Sequence, residues 1–111
     1  MYVRNCDIKK VLIGVPKGHK HLRIALILEN GETIVFSEAT IANITRAYIT
    51  VKTHPTIRTI ELEKKTLDKK SIKEGYAECQ LLETSRQQDE VENEISKIMN
   101  SQMFPPGNLP I

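Results

Sequence analysis

Between Leu22 and Phe36, two runs of Ile, Leu and Val flank Asn30-Gly31, the dipeptide best able to take the positive φ angles of a tight hairpin turn. The pattern predicts a β-hairpin. With Asn30 and Gly31 as a two-residue loop, Glu29 faces Glu32, Leu28 faces Thr33, Ile27 faces Ile34, Leu26 faces Val35, Ala25 faces Phe36 and Ile24 faces Ser37. One face then receives Leu22, Ile24, Leu26, Leu28 and Val35, and the other Ala25, Ile27, Ile34 and Phe36. Neither face alternates cleanly with polar residues, so both need cover, from helices, barrel closure or another subunit.

Ahead of the hairpin, Ile8–Val15 reads as a strand ended by the turn sequence Pro16-Lys17-Gly18. After it, Ser37 is placed to cap a helix whose Ile41, Ile44, Tyr48 and Val51 recur at helical spacing, with His54-Pro55 as its stop. Thr56–Glu63 suits a strand through Ile60 and Leu62, and Gly75–Leu82 supplies another, with Ala77, Cys79 and Leu81 on one side. Lys64–Ser71 between them is a solvated loop by composition; a helix over Leu67–Leu82 is the competing assignment. A second helix is predicted over Ser85–Met103, with Ser85 and Gln88 as a capping box and Val91, Ile95, Ile98 and Met99 on one face. The tail Phe104–Ile111, with three prolines, cannot continue it.

The predicted order is β-β-β-α-β-β-α, an α+β fold with a small, mostly antiparallel sheet of about five strands and two helices. The OB-like barrel with a C-terminal helix shares that order and is the alternative. A chain of 111 residues has the size of one domain, here residues 1–103, with 104–111 as a Pro-rich tail. The longest apolar stretch, Ile24–Leu28, has strand length and falls far short of a membrane span, and the N-terminus lacks the apolar core of a signal peptide. A cytoplasmic location is the default expectation. Cys6 and Cys79 do not make a disulfide framework, and two buried free thiols are expected.

The formal charge of +2 hides an imbalance: residues 1–58 carry nine Lys and Arg against four Asp and Glu, and residues 59–111 seven against ten. The densest basic segment brings Lys17, His19, Lys20, His21 and Arg23 into seven residues between the first strand and the hairpin. The predicted register carries it to the start of the first helix, whose free N–H groups around Glu38–Thr40 would favour an anion. Glu38 opposes that, since it already places a carboxylate in the helix field. Five aromatic residues, with Phe36 and Tyr48 assigned to the core, leave few platforms for stacking bases.

Nothing in the chain carries a catalytic or cofactor signature. Pro16-Lys17-Gly18-His19 lacks the second glycine and the Lys-Ser/Thr end of a phosphate loop. His19, His21 and His54 would need His54 brought to the other two to form a metal site, and neither cysteine has ligand spacing; no metal is assigned. Glu90, Glu92 and Glu94 read as a water-facing side of the last helix. The expectation is a small binding domain without enzymatic activity, its partner an anion or nucleic-acid backbone held by Lys17, His19, Lys20, His21 and Arg23. The alternative is a homo-oligomeric structural or regulatory module, most simply a homodimer, that binds no nucleic acid.

Overall fold

The computed structural model describes residues 1–68 and 78–103, with Met103 in its backbone only. A short 3-10 turn, Asn5–Asp7, leads into β1 (Ile8–Gly14), β2 (Arg23–Leu28), β3 (Thr33–Ser37), α1 (Glu38–Thr53), β4 (Leu62–Thr66), β5 (Cys79–Glu83) and α2 (Gln88–Met103). The strands form two antiparallel sheets, β1-β2-β3 and β4-β5, and α1 packs on β3 and β5 and so links them. The predicted α+β order is present, but among the described residues as two sheets rather than one, with no closed barrel.

The hairpin differs from expectation by one residue. Its loop holds three residues, Glu29-Asn30-Gly31: the Leu28 N–H donates to Glu32 O at 2.9 Å and the Gly31 N–H to Leu28 O at 3.0 Å. Within this loop only Gly31 takes a positive φ, +91°, and the Asn30 Oδ1 accepts from the Glu32 N–H at 2.9 Å. Asn30 spends its side chain on the turn instead of entering the left-handed region, which selects the three-residue loop with a glycine bulge over the two-residue one.

As a result Arg23 pairs with Ser37, Ile24 with Phe36, Ala25 with Val35, Leu26 with Ile34 and Ile27 with Thr33. A slip of one residue exchanges the faces of β3. Together with the β1 register, Val11, Ile13, Ile24, Leu26, Leu28, Ile34 and Phe36 share one face. Leu12, Ala25, Ile27 and Val35 share the other with Lys10, Arg23, Thr33 and Ser37.

Helix α1 starts where predicted. The Ser37 Oγ accepts from the Thr40 N–H at 3.3 Å and lies 2.9 Å from the Thr40 Oγ1, with Glu38 in the first turn and Lys52 in the last, as the helix dipole favours. At the far end the His54 Nδ1 accepts from the N–H groups of Thr56 and Ile57, both at 3.1 Å, fixing the turn through Pro55.

Other boundaries moved. β4 begins at Leu62 and runs through Lys64-Lys65-Thr66, which pair with Leu81, Gln80 and Cys79. Lysine-rich composition marks a solvated strand of a two-stranded sheet here as readily as a loop. β5 is Cys79–Glu83; Gly75–Ala77, Lys69–Ser71, most of the competing helix over Leu67–Leu82, and the tail 104–111 lie outside the described residues. α2 starts at Gln88, not Ser85, because the Gln88 carboxamide is engaged with Thr59 rather than folded back as a cap.

Burial is sparse. Among the described residues only Leu28, 2% exposed, and Val91, 5%, are buried. Phe36 is half-buried and Tyr48 is exposed, although both were assigned to the core, and both cysteines are free but exposed. The helix faces follow: Ile44, Ile95 and Ile98 lie open beside Ile41, Val51 and Met99, which are half-buried. Periodicity correctly placed these residues on common stripes, but the described residues supply too little surface to cover them.

Candidate functional site

The basic segment begins in a turn where the His19 N–H donates to Pro16 O at 3.0 Å and Gly18 takes φ +79°, the positive value a type II turn requires at its third position. Lys17 therefore stands at the corner. Lys17, His19, Lys20 and His21 are all exposed, and no ion pair joins Lys17 or Lys20 to another described residue. The segment reaches the start of α1, as predicted, through two contacts. The His21 Nδ1 lies 3.3 Å from the Glu38 Oε2, and Arg23 stands directly opposite Ser37, the helix cap.

Those contacts also limit what the segment offers. Ser37 takes up the Thr40 N–H, Glu38 holds His21, and the half-buried Arg23 turns its Nη1 to Leu22 O at 3.0 Å. A groove of about 320 Å³ lies alongside, lined by Leu12, Ile13, Gly14, Val15, Pro16, Arg23 and Ala25. Of the five basic residues only Arg23 borders it. Lys17, His19 and Lys20 give a solvated positive corner rather than a closed anion cradle. His54 is occupied by its own turn, and among the described residues no three His, Cys, Asp or Glu side chains group to hold a metal.

The second candidate is β1. Among the described residues it lies at one edge of the three-stranded sheet, paired only with β2, and every residue from Lys9 to Val15 is exposed. Val11 (43%) and Ile13 (65%) point to one face and Leu12 (53%) to the other, so the described residues leave both faces of the strand open. Across the sheet Leu12, Ala25 and Val35 form a row with the small residue at its centre. An apolar edge strand open on both faces is a surface for another chain.

A third constellation, barely signalled in the sequence, closes upon itself. The Arg86 Nη1 lies 2.7 Å from the Glu61 Oε2 and 3.2 Å from the Glu94 Oε2, and its Nε 3.4 Å from the Glu90 Oε2. The Thr84 Oγ1 donates to the Glu61 Oε1 at 2.8 Å, and the Thr84 N–H to Glu61 O at 3.0 Å. Beside it the Gln88 Oε1 accepts from the N–H groups of Arg58 and Thr59, at 3.0 and 2.9 Å, while the Gln88 Nε2 donates to Thr59 O at 3.0 Å. The carboxamide thus acts like a short length of paired strand. The Thr84 hydroxyl, then Arg86, hold the Glu61 carboxyl below the usual glutamate range, and Glu61 and Glu94 push Arg86 upward.

The acidic run of α2 is therefore more than a water-facing side. Glu90 and Glu94 converge on Arg86 at spacings of four and eight, and Glu92 with Asp89 lies near Arg58, at 3.6 and 3.7 Å. The spacing from Arg86 to Glu90 was the only signal in the sequence; its partner on β4's approach comes from the fold. Every member of this cluster is matched, which makes it a brace rather than a binding site. No protein-family model, curated protein or solved structure matches the chain.

Proposed function

We propose that this protein is a self-associating interaction module of the cytoplasm, without enzymatic activity, whose exposed apolar sheet is completed by other copies of the same chain. The observation that supports this is β1: Val11, Leu12 and Ile13 are open on both faces of an edge strand, in a chain whose described residues bury only Leu28 and Val91. Association would remove apolar surface from water at about 25 cal/mol per Å², the term the isolated chain leaves unused. Light scattering at tens of micromolar tests it. A mass of at least twice the 12.6 kDa of the chain is expected, and a monomer throughout that range rejects it.

A second reading rests on the approach of Arg23 and His21 to the start of α1. In it Lys17, His19, Lys20, His21 and Arg23 form a weak site for an anion, most naturally a nucleic-acid backbone. Binding to short oligonucleotides would fall with salt at a logarithmic slope no steeper than roughly −3, since three permanent cations are involved. Binding unaltered by changing Lys17, Lys20 and Arg23 to Ala together would discard this reading.

A further inference from the structure

Building on the self-association reading, we infer that two copies join their β1 edges antiparallel about a two-fold axis through Leu12, producing one six-stranded sheet. The occupant of an open strand edge must present a matching row of N–H and C=O groups, and another strand does so most fully. β1 itself is the strand that fits.

The regular part of β1 is Lys10–Gly14, because its pairing with β2 is irregular between Ile8 and Lys10. Its midpoint is Leu12. Antiparallel superposition on a second copy sets Leu12 against Leu12, Val11 against Ile13 and Lys10 against Gly14, so apolar residues meet apolar residues and each lysine meets a residue without a side chain. A Cβ built on Gly14 would meet nothing within 4 Å, which leaves the Lys10 stem free to lie across it. Sliding one way sets Lys10 against Leu12. Sliding the other way sets Val11 against Val15, beyond the strand end, and Lys10 against Pro16, which has no N–H to donate.

Charge selects the direction. In the antiparallel pair the two Lys10 residues are four positions apart along the strand, about 14 Å at 3.4 Å per residue, beyond a screening length of about 8 Å. Parallel pairing would set Lys9 and Lys10 beside their own copies. A two-fold axis normal to the sheet also keeps faces continuous: the Val11 and Ile13 side of one copy runs into the same side of the other. Pairing of β1 on β3 would instead be head-to-tail and leave both ends open to growth.

The test uses the full chain with Cys6 and Cys79, both exposed, changed to Ser. Leu12→Cys is expected to form a symmetric intermolecular disulfide on mild oxidation, since directly opposed antiparallel residues have Cα atoms about 4.5–5.5 Å apart, within the span of a disulfide. An equimolar mixture of Val11→Cys and Ile13→Cys is expected to cross-link more than either alone, whereas Val35→Cys on β3 stays uncross-linked. A dimer by light scattering in which Leu12→Cys does not cross-link, or in which it cross-links preferentially to Val35→Cys, overturns the edge and register while leaving self-association intact. A monomer at the same concentration removes both.

Discussion

The brace around Arg86 and the edge at β1 meet the same requirement in opposite ways. At the brace, residues from the approach to β4, the connection after β5, and α2 converge until each charge and amide has a partner: Glu61, Glu90 and Glu94 on Arg86, and Thr59 on Gln88. At β1, apolar side chains alternate to both faces and meet solvent on each. The described residues complete the first region and leave the second open, so charge-dependent stability should be traceable to the first and, on the self-association reading, assembly to the second.

The largest stability effect belongs to neither. Leu28→Ala removes one of the two buried side chains among the described residues and should cost about 2–5 kcal/mol in urea unfolding; a loss within error would mean that the sheet is held from elsewhere. Arg86→Ala should lower the urea midpoint by less, and Arg86→Lys should not restore it, because an ammonium cannot reach Glu61, Glu90 and Glu94 in the fork geometry of a guanidinium. Full rescue by lysine would reduce the brace to unspecific charge.

A smaller effect concerns acid. The Glu61 carboxyl titrates below its ordinary value when folded, so its stabilisation is fully present above the unfolded value, roughly 4.3, and disappears as the pH falls through the folded value. Glu61→Gln should flatten that acid limb of the stability curve, read from urea midpoints between about pH 6 and 3. The smallest change in stability is expected at the open edge. Leu12→Lys should alter monomer stability by no more than about 0.5 kcal/mol while returning the mass in solution to that of one chain. A dimer that survives this substitution would break the division between the two regions.

Local chemistry made the elements legible. Ser37 announced α1, Pro16-Lys17-Gly18 the end of β1, and Asn30-Gly31 the hairpin, because each depends on conformational preferences carried by the residues themselves. The one-residue error in register arose where two turn types suit the same dipeptide, and the Asn30 side chain decided between them by bonding to Glu32 N–H. Boundaries at Leu62 and Gln88 were not legible, since Thr59 reaches its partner across about 30 positions of sequence. The same holds for Arg86 with Glu61, whose pairing only the fold creates. For the candidate site, sequence located the basic segment beside α1 and saw that both hairpin faces needed cover. It could not show that the described residues would leave β1 open on both sides.

Ser37 closes β3 and caps α1 at once, so no slack separates strand from helix. The direction in which β3 ends therefore sets the direction in which α1 starts. Through α1, which also packs on β5, that one residue ties the three-stranded sheet to the two-stranded one.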